Sequence, residues 1–152
     1  MRLIASICVA AILVSGRLLA AEAPTASPTA SPAVRACLEH FTEEGSFFKG
    51  KTYRTWQEFP GADKTDVFQA VAQAVAQNNW GHMEANKDLM IVTAGQEVTM
   101  GEGAQAPLNV IVKNKGDSVR VEAVFGTGPM QKASTDTVRT ELCKLVEAPT
   151  QD

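Results

Sequence analysis

Any chemistry in this chain must come from a short stock of residues: two histidines, three cysteines and 17 carboxylates in 152 residues. His40 and Glu44 are four apart, the spacing that puts two side chains on one face of a helix. A metal centre needs three or four ligands with supporting hydrogen bonds. A His/Glu pair on an exposed helix face is far more often solvated surface. His82 and Glu84 are two apart, so on a strand they share a side. Such a pair could move a proton on a substrate, although an ordinary polar strand face explains it more cheaply. No serine stands in a G-x-S-x-G elbow. The glycines at Gly95, Gly101, Gly103, Gly126 and Gly128 are not followed by the Gly-Lys-Ser/Thr that completes a phosphate loop. No catalytic residue, metal ligand or cofactor site is assigned from these residues, and the methionines read as gap-fillers and loop residues.

The cysteines carry more information, because the N-terminus suggests an oxidising destination. Arg2 precedes an apolar run, Leu3 to Val14, broken by Ser15, Gly16 and Arg17. A membrane span needs about 20 apolar residues, and this run has the length of a signal-peptide core. Small residues follow at Ala20, Ala21 and Ala23. Cleavage after Ala21 is expected, since a cut after Ala23 would leave Pro24 next in line. An uncleaved signal anchor is the alternative. Cys8 lies inside the apolar run and no cysteine stands near Ala20, so no lipid attachment is expected. The mature protein is therefore read as periplasmic or secreted, with no stable membrane anchor. Cleavage leaves Cys37 and Cys143, and an even pair in an exported protein reads as a disulfide. Two buried free thiols are the other reading. There is no C-x-x-C, which argues against a redox enzyme.

Charge excludes one class of partner. The whole chain carries a formal net charge of -3, and loss of Arg2 and Arg17 takes the 14 basic residues to 12 against 17 acidic, or -5. Nucleic-acid binding leans on clustered Lys and Arg, and no such cluster exists, so no nucleic acid is expected.

The elements that must position these residues follow from periodicity. Residues 22–32 contain PTASPTASP, a tandem Pro-containing repeat that reads as an extended linker. Ser31-Pro32 starts a helix. Val34, Cys37, Leu38 and Phe41 form its stripe, and Gly45 its stop. Thr52 to Phe59 is a strand, ended by Pro60-Gly61. A second helix follows, capped by Asp63 or Thr65, with Val67, Phe68, Val71, Ala74 and Val75 inward. Asn78-Asn79 closes it. Trp80 to Ala85 and Leu89 to Ala94 read as strands, then Gln96 to Pro107 as a long loop. Leu108 to Asn114 and Ser118 to Phe125 form the clearest hairpin, with regular period-two alternation. A last helix spans about Ser134 to Val146, with Val138, Leu142 and Leu145 in its stripe and Cys143 beside it. The organisation is a signal peptide over 1–21, a linker over 22–32, one domain over 33–148 and a tail over 149–152. The order α-β-α-β-β-β-β-α predicts an α+β fold: a two-layer sandwich, a mainly antiparallel sheet of about five strands with helices on one face.

The stretch from Thr52 to Val146 resembles small bacterial envelope domains. The matching pattern is a strand ending in Phe59-Pro60-Gly61, then Asp63, Val67-Phe68, Val71, Val75, Asn79-Trp80, Asp88 and Ile91. It is similar to the repeated domain of the C-component lipoprotein of the β-barrel assembly machinery. The resemblance implies a helix-on-sheet module without catalysis. The chain departs from it in lacking a lipid-attachment cysteine and in carrying an extra N-terminal helix with a cysteine pair. A shared fold does not by itself transfer a function.

A two-layer sandwich leaves one sheet face open. On the hairpin that face carries Asn109, Ile111, Lys113, Arg120, Glu122 and Val124. Arg54, Trp56, Trp80 and His82 join it if they point outward. Arginine and tryptophan beside apolar residues suit a protein contact. The alternative is that the tryptophans point into the core and the face is merely mixed. Three functions follow. The first is an exported non-catalytic domain that binds a protein or envelope component, or its own copy as a homodimer, through the open face. The second is a small-ligand carrier with a pocket between sheet and helices, under the Gln96 to Pro107 loop. The third is an enzyme centred on His82.

Overall fold

The computed structural model of the protein describes residues 32–97 and 105–150, with side chains from residue 36 onward. Residues 1–31, which hold the expected signal peptide and most of the expected linker, residues 98–104 and the last two residues lie outside the described residues.

Among the described residues the chain forms α1 (Pro32–Glu39), β1 (Thr42–Ser46), β2 (Gly50–Pro60), α2 (Lys64–Gln77), β3 (Gly81–Asn86), β4 (Ile91–Glu97), β5 (Gln105–Lys115), β6 (Ser118–Thr127) and α3 (Thr135–Val146), then a 3-10 turn at Ala148–Thr150. The fold is α+β. One sheet holds six strands in the order β1-β2-β6-β5-β4-β3, and every neighbouring pair is antiparallel. The chain leaves β2 and crosses to the far edge through α2. It then returns strand by strand from β3 to β6, and β6 closes against β2.

Alternation decides which way each strand faces. Tyr53, Thr55, Gln57 and Phe59 of β2 are buried, as are Leu108, Val110 and Val112 of β5 and Val119, Val121, Ala123 and Phe125 of β6. Each fully buried Val or Leu is worth roughly 1.5–3 kcal/mol over exposure. A one-residue slip would turn every one of them outward, so the pattern fixes the register. α2 packs on β3 to β6, α3 on β2 and β6, and α1 on β2 and α3. The helices contribute Val67, Phe68, Val71 and Val75 from α2 and Val138, Leu142, Leu145 and Val146 from α3.

The N-termini of α2 and α3 carry the caps expected from the sequence. Asp63 caps α2, its carboxylate accepting from the N–H of Thr65 at 2.7 Å and of Asp66 at 3.2 Å. Ser134 caps α3. The N–H groups of Asp66 and Thr65 hold the Asp63 carboxyl below its ordinary pKa.

Four expectations need correction. The sheet has six strands, not about five. The additional one is β1, which occupies residues expected to continue the first helix. Gly45 does not stop a helix. It lies in β1 with φ at +99°, and a Cβ there would run into the Gly50 carbonyl oxygen across the hairpin. Leu38 is 45% exposed rather than part of the buried stripe, because α1 ends one residue later. The loop after β4 is also shorter than Gln96 to Pro107, since β4 runs to Glu97 and β5 begins at Gln105. Pro107 is tolerated inside β5 because it lies one residue beyond Leu108–Phe125, where the pairing with β6 ends.

Candidate contact surface

The face away from the helices is organised in rows across the strands. One row reads Trp56, Glu122, Ile111, Ile91 and Asn86, from β2 to β3. A second reads Arg54, Val124, Asn109, Thr93 and Glu84. A third holds Glu58, Arg120 and Lys113. Arg54, Trp56, Ile111 and Val124 thus share the open face. Arg54 is exposed and the other three are half-buried.

Trp56 is fixed from both sides. The His40 ring stacks on it at 3.3 Å between centroids, 13° from parallel, and His40 Nδ1 lies 3.2 Å from the Trp56 carbonyl oxygen. The Arg120 guanidinium carbon lies 3.9 Å from the ring centroid. Two groups this close to one centroid must occupy opposite faces of the indole. Arg120 is held in turn by Glu58, donating from Nε at 2.9 Å and Nη2 at 2.5 Å to the same carboxylate oxygen. Trp56 therefore offers a rigid edge, not an open ring face.

The apolar part of the surface lies further along the row. Ile111 and Ile91 stand directly opposite each other on β5 and β4. Leu89, 65% exposed, joins Ile91 beside a shallow depression of about 320 Å³ whose rim is Glu84, Asn86, Thr93 and Asn109. On the Trp56 side the surface turns charged, with Lys113 donating to Glu122 at 2.6 Å.

Several candidate residues fall elsewhere. Trp80 precedes β3 and does not join the open face. Its ring meets the inward Phe125 edge-on at 5.6 Å, on the helix side. The Trp80 Nε1 is buried without a partner among the described residues. His82 is exposed at φ +49°, within the register shift between Gly81 and Glu84. The shift breaks the period-two alternation, so the expectation that His82 and Glu84 share a side does not follow. His40 and Glu44 share no helix face, because α1 ends at Glu39 and Glu44 belongs to β1. Ser46 and Lys49 have the S-x-x-K spacing of some acyl-transfer enzymes. Here both are exposed residues of a hairpin turn closed by the Lys49 N–H on the Ser46 carbonyl oxygen at 3.2 Å.

On the helix side, Cys37 and Cys143 form a disulfide with Cα atoms 5.6 Å apart. It ties α1 to α3. Thr55 of β2 donates to the Cys37 carbonyl oxygen at 2.7 Å, which seats the bridge on the sheet. Glu147 closes this corner. Its carboxylate and the two sulfurs lie within 4.8 Å of one another. Both sulfurs are bonded to each other, so the trio does not offer the thiolates a metal would need. Glu147 is only 8% exposed, and its Oε1 has no partner among the described residues. Burial pushes its pKa up.

A polar cleft of about 430 Å³ opens between α2, α3 and the end of β4, lined by Gln77, Asn78, Asn79, Trp80, Gln96, Thr137, Glu141 and Lys144. Gln96, near the end of β4, stands on its rim. No protein-family model matches the chain, and no curated protein matches it.

Proposed function

We propose that this protein is an exported, non-catalytic domain that binds a protein or envelope component through the open face of its sheet. The observation that supports this most is the Ile91–Ile111 pair with Leu89, a contiguous apolar group on a face that carries no helix among the described residues. The rigid Trp56–Arg120–Glu58 assembly beside it supplies polar specificity at low entropic cost. A second copy of the chain is one form this partner takes. Export rests on the Arg2, Leu3–Val14 and Ala20–Ala23 pattern, and the disulfide suits an oxidising compartment. Among the described residues no helix is long and apolar enough to cross a membrane. The likeness to envelope domains of the β-barrel assembly machinery points the same way.

Ile111→Asp tests the contact. The variant should keep the circular dichroism of the parent and lose the partner captured from envelope extract. If dimerisation is the association, it should instead run as a monomer in sedimentation. Retained association with an intact fold refutes the open face. N-terminal sequencing of exported protein should start between Ala21 and Pro24, and an intact Met1 refutes cleavage.

The cleft beside Gln96 favours a second reading, a small-ligand carrier. Its amides and Trp80 suit a polar, hydroxyl-rich ligand. Gln77→Leu would then abolish ligand binding while leaving partner capture untouched.

A further inference from the structure

The end of the molecule at the β1–β2 turn carries an apolar tip built from two separate loops. Phe47 and Phe48 form the turn, their rings edge-to-face at 5.4 Å. Met130 comes from the connection between β6 and α3. Its N–H donates to the Phe47 carbonyl oxygen at 2.8 Å, which clips the two loops together. Phe48 is 78% and Met130 61% exposed. Met130 also holds a left-handed backbone, φ +60°, a conformation that large side chains rarely adopt. The connection is fixed behind it, where the Gly128 N–H donates to Oε1 of the buried Gln131 at 2.6 Å. Rigid support therefore pushes two large apolar side chains into water, where neither contributes to the core.

The surroundings select the occupant. Phe48 and Met130 hold most of their surface in water, so a protein partner would need a preformed hole for them, whereas a lipid interface receives a small apolar projection without one. Lys49 lies within the turn, and the Lys132 ammonium stands 5.8 Å from the Phe47 ring centroid. Neither is in an ion pair among the described residues, while Lys51 and Glu43 neutralise each other. Of the acids described at this end, Glu44 lies on β1 behind the turn, Asp136 faces Arg139 at the start of α3, and Glu97 borders one depression with Lys132 without forming an ion pair with it. Apolar side chains at the apex with lysine stems at their flanks suit insertion at the headgroup boundary, with the ammonium groups among the phosphates.

We propose that the Phe47–Phe48–Met130 tip inserts shallowly into a lipid bilayer, with Lys49 and Lys132 meeting anionic headgroups. This surface is separate from the open-face patch. Ile111 and Trp56 share a row six residues along β2 from Gly50, about 20 Å at the usual rise. Either reading can fail alone.

The test uses the full chain carrying Phe48→Trp and phosphatidylcholine vesicles, with and without phosphatidylglycerol. The acyl chains are brominated either near the headgroup or near the bilayer centre. Quenching is short-ranged, so a tether elsewhere in the chain cannot produce it at residue 48. The expected result is strong quenching by the shallow bromines, weak quenching by the deep ones, and far less in the parent. Changing Lys49 and Lys132 to Gln should lower the affinity gained from phosphatidylglycerol roughly thirtyfold. Adding Met130→Asp, which tolerates a left-handed backbone, should abolish quenching. Emission that neither lipid changes, or quenching that survives Met130→Asp, overturns the proposal. A tip that stays in water while a protein is crosslinked to residue 48 overturns it in favour of a protein partner.

Discussion

The two faces of the β5–β6 hairpin differ sharply in what they carry. They share the same backbone and register. Inward stand Leu108, Val110, Val112, Val119, Val121 and Ala123, all buried. Outward stand Asn109, Ile111, Lys113, Arg120, Glu122 and Val124, in which charge and apolar surface alternate. The inner face is uniform because only volume and shape matter under the helices. The outer face is heterogeneous, with a charged half held by Lys113–Glu122 and Arg120–Glu58 and an apolar half at Ile91 and Ile111. Substitutions beneath the helices should therefore be read out in stability, and those on the open face in association.

The largest test lies on the covered side. The Cys37–Cys143 bridge closes a separation of 106 residues. Replacing both cysteines by Ser should lower unfolding free energy by about 4 kcal/mol in the chain-entropy view. A denaturant midpoint that scarcely moves would mean that α1 adds little to the covered face. Next is Leu108→Ala, fully buried, which should cost about 3 kcal/mol. Ile111→Asp, three residues along the same strand, should cost no more than about 1 kcal/mol, the span of strand propensity, and remove association instead. Equal losses of stability at the two positions would erase the distinction between the faces.

Smaller effects appear as pH dependence. Burial raises the Glu147 pKa above its ordinary 4.5. The folded state then binds this proton more tightly than the unfolded chain does. The group opposes folding increasingly as pH rises from about 4.5 through the raised pKa, and fully above it. Glu147→Gln should therefore stabilise at pH 7, with the gain fading towards pH 4, as urea midpoints at both pH values would show. Asp63 has the opposite sign. Its pKa is depressed, so its contribution is present above the unfolded value and is lost as pH falls through the folded one. Asp63→Ala should slightly lower the melting temperature at pH 7, and the difference should shrink in acid.

Strong local patterns were legible in the sequence and weak ones were not. The β5–β6 hairpin announces itself by alternation on both strands, and α2 by its Asp63 cap and apolar stripe. The disulfide follows from an even pair of cysteines on inward positions. β1 was missed because Thr42–Ser46 is exposed at every residue, so burial leaves no period to read. Trp80 was misplaced, and the side of His82 was not legible, for a related reason. The alternation expected through them starts too early, since β3 begins at Gly81 and its pairing shifts before Glu84. The Trp56 clamp depends on His40, which is far from Arg120 in sequence and reaches the other face of the same ring. The apolar tip was invisible because Phe47 and Met130 belong to two loops joined by one backbone hydrogen bond.

The position of the disulfide also changes what proteolysis can do. Cys37 and Cys143 lie near the two ends of the described domain, so the chain between them is a closed ring. A single cut anywhere in that ring opens it without releasing a fragment. Both pieces stay joined through α1 and α3, and the strands on either side of the cut remain held at high local concentration. Such a nicked molecule would migrate as one species until it is reduced, and only then separate into two.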